Sequence, residues 1–294
     1  MLIPWFSQPL QQLWQLGQAG RLHHALLFSG TRGIGKGWLA QQLAERLLCQ
    51  HQTMAPCGQC KSCLLMNAGH HPDFLKLTSD SSIGVDAVRD ISLFFQQFSQ
   101  QGGAKVVSIA DAHKMTEAAS NALLKTLEEP GQHCFLLLQT DHPDRLLPTI
   151  LSRCQLWALP TPTTEQSLLF LQQQTQELLP EFVLPLCSGA PLQVLELWRQ
   201  GQLPLLADGL VLLQQMLKQP ALIATKLSKV EHLPMLSELI RVVVLEALTS
   251  ASPEYQCAAL ERYQQWVRDC ATILGQNKTV ALAALLADLA KFMR

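Results

Sequence analysis

Phe28 to Ala40 reads FSGTRGIGKGWLA, and what flanks it decides the fold. Before it, HALLF (His24 to Phe28) is a short apolar run. After it, Trp38 to Leu48 carries Leu and Ala at helical intervals. A strand that ends in a glycine-rich turn and opens a helix is the setting of a phosphate-binding loop. Gly30, Gly33 and Gly35 let backbone N–H groups turn towards phosphate oxygens, Lys36 adds a point charge, and the helix N-terminus adds its dipole. The spacing follows G-x-x-x-x-G-K-[ST] from Gly30 through Lys36. At the last place stands Gly37, so the hydroxyl that would ligate Mg²⁺ is absent. Arg32 lies inside the loop, where a long cation either reaches phosphate or fills the nucleotide's space. A plain glycine-rich turn that binds nothing is the other reading of the same residues.

Outward from this loop, four further apolar runs read as strands: DFLKL (73–77), KVVSIAD (105–111), CFLLLQT (134–140) and CQLWAL (154–159). Amphipathic segments from Val85 to Gln97 and Glu117 to Leu127 lie between them. Strands alternating with helices predict an α/β fold with a parallel sheet, and continuously apolar strands predict burial on both faces. KVVSIAD ends in Asp111, a carboxylate able to hold a metal's water shell. Where a hydrolase of this kind places a water-activating acid next to it stands Ala112. With Gly37 and Ala112 in one chain, the site is expected to be hydrolytically dead.

Length and composition bound the rest. The chain has 294 residues, about two domains by the length prior, and Lys+Arg 22 against Asp+Glu 23 gives a net charge of -1. That balance excludes a strongly basic nucleic-acid binder, and 48% hydrophobic against 15% charged residues excludes intrinsic disorder. MLIPWFSQPLQQLW lacks the basic start and cleavage site of a leader, and no apolar run suggests a membrane span, so the expectation is a cytoplasmic protein. Four of nine cysteines, Cys49, Cys57, Cys60 and Cys63, form C-x₇-C-x₂-C-x₂-C. Two residues between thiolates, with Gly58 to allow a tight turn, is the reach of a closed tetrahedral site, and structural zinc is predicted. His51, His70 and His71 are substitute ligands, and four unliganded thiols are the plainer alternative. Cys134, Cys154, Cys187, Cys257 and Cys270 are expected as small buried hydrophobes. Strand patterning stops at LPTPTTEQ (159–166), and QGQLP (200–204) marks a weaker break within purely helical sequence. The expected domains are 1–160 with the cysteine insertion at 49–63, a small helical domain 161–201, and an all-α domain 202–294.

ASNALLKTLEEP (119–130), followed by CFLLLQTDHPDRLLPTILSRCQLWAL (134–159), resembles the clamp-loader branch of the AAA+ proteins. With the cysteine insertion and the degenerate loop, the sequence is similar to the delta-prime family of the bacterial DNA polymerase III clamp loader. The resemblance is strong from Pro4 to Leu159. It implies an AAA+ module of α/β domain and helical lid, and a C-terminal collar domain in a hetero-pentamer with delta and gamma or tau subunits. It places Walker A at Gly30 to Gly37, Walker B at Val106 to Ala112, and sensor 1 near Thr140. At the sensor-2 arginine position of SGAPLQVL (188–195) stands Leu192. It also makes Arg153, in Ser152-Arg153-Cys154, a finger acting in trans on a neighbour's ATP. Read without the resemblance, Arg153 makes a local ion pair or caps helix carbonyls. Glu128 and Glu129 read as a solvated turn without chemistry. The implied function is a non-hydrolysing subunit of a DNA-directed DNA polymerase (nucleotidyltransferase) holoenzyme, helping place the sliding clamp on primed DNA, with no functional ATP site of its own. The competing readings are an active gamma- or tau-like ATPase, and a zinc-dependent nucleic-acid binder for which only Lys61 near the cysteines supplies charge.

Overall fold

A computed structural model describes residues 3–51, 56–248, 253–273 and 277–292. The chain separates into two compact units, Met1–Gln166 and Ser167–Arg294.

The first unit runs α1 (Ser7–Gln18), β1 (Ala25–Ser29), α2 (Lys36–Leu48), α3 (Lys61–Asn67), β2 (Phe74–Leu77), α4 (Val85–Gln96), β3 (Lys105–Ile109), α5 (Glu117–Glu128), β4 (Cys134–Thr140), α6 (Pro148–Leu151) and β5 (Gln155–Ala158). All five expected strands form, in one parallel sheet of order β2-β3-β4-β1-β5. The apolar runs of β1 and β3 are buried throughout. CQLWAL departs from the expectation: β5 is an edge strand, with Gln155, Leu156 and Ala158 exposed, because it pairs on one side only.

α2 packs against β1, β3 and β4. Val88 and Ile91 of α4, with Leu123 and Leu127 of α5, share a core with Leu27, Val107, Ile109, Leu136 and Leu138. Each such side chain taken fully from water contributes roughly 1.5–3 kcal/mol. α5 starts where it does because Thr116 caps it, its hydroxyl accepting the Ala119 N–H at 3.1 Å. The parallel sheet delivers the C-terminal ends of β1, β3 and β4 to one edge, where an open α/β sheet binds its ligand.

The second unit is helical: α7 (Thr164–Thr175, which the division crosses), α8 (Val183–Leu186), α9 (Pro191–Arg199), α10 (Leu203–Lys218), α11 (Ile223–Val230), α12 (Leu236–Leu248), α13 (Pro253–Thr272) and α14 (Lys278–Phe292). Leu206 and Leu213 of α10, Leu239 and Val244 of α12 and Leu285 and Leu289 of α14 are fully buried. On α10, a Cβ at Gly209 would stand 2.6 Å from Leu233 Cδ1, so glycine permits this close approach. The Arg241 guanidinium caps the end of α8, donating to the Pro185 carbonyl at 2.6 Å and the Leu186 carbonyl at 3.2 Å. Of the five scattered cysteines, Cys134 and Cys187 are buried as expected. Cys154 and Cys270 are half-buried, and Cys257 is exposed on the outer side of α13.

Candidate nucleotide and metal sites

The loop from Gly30 to Gly37 joins β1 to α2. Gly33 and Gly35 take positive φ, 80° and 104°, and Gly35 caps the helix in the left-handed region where a side chain would be strained. Gly30 is required for a different reason: a Cβ there would meet the Leu159 carbonyl oxygen and Ile34 Cδ1, each at 2.7 Å. Lys36 is buried, and its Nζ donates to the Gly30 carbonyl at 2.8 Å and the Thr31 carbonyl at 3.0 Å. Burial lowers its pKa, opposed by the carboxylates of Asp141 and Asp111. Two further contacts fix the loop. The Trp5 indole donates to the Ile34 carbonyl at 2.9 Å, and the Thr31 hydroxyl meets that of Thr161 at 2.9 Å. Neither was legible beforehand, since apolar spacing says nothing of which distant donor finds a loop carbonyl. At Gly37 a Cβ would meet only Gln139 Oε1, at 3.4 Å, so packing does not forbid a side chain there.

β3 ends at Ile109, and Asp111 turns out of it with φ 49°, its carboxylate 3.0 Å from Lys114 Nζ. Ala112 is fully buried. Thr140 closes β4; its hydroxyl accepts the His142 N–H at 3.0 Å and lies 3.2 Å from His113 Nδ1. Leu192 sits, half-buried, in the first turn of α9 in the second unit.

Cys49, Cys57, Cys60 and Cys63 come together, with all four Sγ atoms within 4.8 Å of one another. Gly58 supplies the turn at φ 70°, and Cys60 caps α3 by accepting the Cys63 N–H. Cys57 and Cys63 Sγ stand 3.9 Å apart, close to the ~3.8 Å edge of a tetrahedron with 2.3 Å metal–sulfur bonds. Backbone N–H groups of Gln59 and Cys60 hold the Cys57 thiol down to about 6, whereas burial pushes Cys63 up to about 12. The donor set fits a closed thiolate site for a metal ion. His71 is turned elsewhere, its Nδ1 accepting the Asp73 N–H at 3.0 Å, and His51 and His70 are exposed.

Arg153 follows α6. Its Nη2 and Nε reach Glu128 Oε1 at 2.6 and 2.9 Å, and Nη1 donates to the Thr149 carbonyl at 3.1 Å and the Ser152 hydroxyl at 3.3 Å. Within this chain the arginine therefore makes the local ion pair and the carbonyl contact. Glu128, expected as a solvated residue, is its partner across 25 positions of sequence.

A second grouping went unread in the sequence. His113 and His142 bring their rings to 5.1 Å, beside Asp141. The only advance signal lay in the fragments DAH and TDHP, each directly after a strand.

The chain is 43% identical over 206 residues to DNA polymerase III subunit delta' of Haemophilus influenzae, covering 68% of this chain and 62% of that one. It is 42% identical over 175 residues to the same subunit of Escherichia coli, covering 58% and 52%. The matched stretch thus spans less than two thirds of these relatives' own length. Subunit tau of Escherichia coli is also 42% identical, over 148 residues that cover 50% of this chain and 23% of that one. Among solved structures, a DNA polymerase III gamma subunit-related protein of Thermotoga maritima shares the fold, with a TM-score of 0.56 at 20% identity over 98% of this chain and 99% of that one. The sequence model described as DNA polymerase III, delta subunit, matches residues 6–180, and with delta' subunits among its relatives the chain belongs to that family, on its delta' side.

Proposed function

We propose that this chain is a non-hydrolysing delta' subunit of a DNA polymerase III clamp loader. It joins delta and gamma or tau subunits in a hetero-pentamer that places the sliding clamp on primed DNA in the cytoplasm. One observation carries this reading: the chain keeps the phosphate loop's backbone but lacks the hydroxyl at Gly37 and the acid at Ala112, while Arg153 stays on the surface. Lys36, already held by its own loop carbonyls, is consistent with a loop that works as structure. In this reading residues 161–201 are a lid, whose first six residues fall in the first unit, and 202–294 are a collar. Cys49, Cys57, Cys60 and Cys63 hold a structural zinc that folds the insertion; four thiolates leave the ion no open position for chemistry. Among the described residues no helix is long and apolar enough to cross a membrane.

Arg153 acts in trans. Its guanidinium exchanges the Glu128 carboxylate for the γ-phosphate of a neighbouring subunit and stabilises the charge that develops in transfer. Similarity to tau raises the alternative of an active ATPase, against which Gly37, Ala112 and Leu192 all weigh. Nucleotide turnover separates the two. The purified chain should hydrolyse no ATP with or without primed DNA, and should co-purify with delta and gamma or tau. Turnover lost on Lys36→Ala would overturn the proposal.

A further inference from the structure

The turns after β3 and β4 carry donors that the phosphate-loop reading does not use. His113 Nδ1 lies 3.2 Å from Asp141 Oδ1, and His142 approaches His113 edge-on, ring planes at 79°. One ligating atom from each of the three residues lies within 4.8 Å of the other two. A tetrahedral ion with bonds of about 2.1 Å needs ligand atoms about 3.4 Å apart. The His113 to Asp141 distance of 3.2 Å already matches, and the third ligand atom lies within 4.8 Å of both. Asp141 Oδ1 is buried and makes no hydrogen bond, a costly state for a carboxylate oxygen whose close contact is an imidazole. Of the neighbouring cations, Lys36 donates its hydrogen bonds to the Gly30 and Thr31 carbonyls and Lys114 pairs with Asp111, while Arg145 adds a positive charge near His113. The Thr140 hydroxyl accepts the His142 backbone N–H and lies 3.2 Å from His113 Nδ1, a contact that a bound ion at this nitrogen would replace.

We propose that His113, Asp141 and His142 form a second metal site, distinct from the four cysteines, for a borderline divalent transition ion such as Zn²⁺. Two imidazoles and one carboxylate select against Mg²⁺, which takes hard oxygen donors in octahedral geometry. Three protein ligands leave a fourth position for water or an anion, so this site is more exchangeable than the cysteine site. The bound ion ties the turn after β3 to the turn after β4 beside Lys36.

The test uses the full chain with zinc in its cysteine site, titrated with Co²⁺ and followed by visible absorption. The expected result is one saturable equivalent with the ligand-field bands of nitrogen and oxygen donors and no sulfur-to-metal charge transfer, unmoved by excess Mg²⁺. His142→Ala and Asp141→Asn, each checked for native circular dichroism, should weaken Co²⁺ by more than the roughly 10–100-fold that loss of an outer-shell partner costs. No uptake, a thiolate spectrum alone, or unchanged binding in both variants would overturn the site without touching the assignment of the four cysteines.

Discussion

Replacing Arg153 by Ala separates a structural arginine from a functional one, because the two roles predict effects of different size. In this chain the side chain pairs with Glu128 and bonds the Thr149 carbonyl and the Ser152 hydroxyl. The arginine is 36% exposed and its partner 51%, so water screens the pair and its loss costs about 0–1 kcal/mol. On a chain of this size that lowers the melting temperature by at most about 2–4 °C. A finger in trans is worth roughly 10³–10⁵ in turnover at the site it serves. At 1.36 kcal/mol per decade that is about 4–7 kcal/mol, several times the stability effect. The assay is steady-state ATP hydrolysis by the reconstituted complex with clamp and primed DNA, beside a thermal melt of the isolated chain. The Arg153→Ala chain should melt almost normally and assemble, and the complex should lose the share of turnover that belongs to the served site. Arg153→Lys should not restore it, since an ammonium lacks the planar fork. A correctly assembled variant complex that hydrolyses ATP and loads clamps at the unmodified rate refutes the role in trans and leaves the arginine a surface ion pair.

Cys60→Ser should release the zinc and expose the insertion to limited proteolysis, because metal binding and local folding are one equilibrium. Metal analysis of the unmodified chain after dialysis against a mild chelator should return one zinc; a metal-free chain that resists protease equally well would contradict the assignment. Gly37→Ser should fold with equal or slightly higher stability, up to about 1 kcal/mol, since the new Cβ meets only Gln139 Oε1 and glycine is unfavourable in a helix. It should remain without ATPase activity, and turnover in this variant would show that the missing hydroxyl alone had silenced the site. Asp73 is fully buried and accepts hydrogen bonds from the N–H groups of Gln100 and Gln101 and the hydroxyl of Ser99 at 2.8–2.9 Å, so Asp73→Ala should cost about 2–4 kcal/mol in denaturant unfolding. Burial alone would raise this carboxyl, but those donors outweigh it and hold it below the ordinary value. Its contribution is therefore complete above the unfolded carboxyl's pKa, about 4, and is lost as pH falls through the depressed folded value. Asp73→Asn should flatten that acid limb, and an unchanged pH profile would count against it.

What local sequence determined is what depends on neighbours along the chain. Short continuous apolar runs marked all five strands, and apolar residues at three and four spacing marked helices such as Leu236–Leu248, because burial is written in the local pattern of apolar residues. The glycines and Lys36 marked the phosphate loop, and the C-x₂-C spacings marked the cysteine cluster, since each is built within a few residues of one turn. The absence of an acid at Ala112 and of a hydroxyl at Gly37 could likewise be read directly. Tertiary structure decided the rest. Whether CQLWAL was central or an edge depended on which strand lay beside β1, and two apolar runs with the same composition can take either place. Glu128 met Arg153, Asp73 met Gln100 and Gln101, and His113 met Asp141 only because each crossover of a parallel sheet returns the chain to the same edge, bringing together residues far apart in sequence. Side-chain hydrogen bonds and ion pairs act over about 3 Å in space and are indifferent to sequence separation, so no periodicity along the chain announces them.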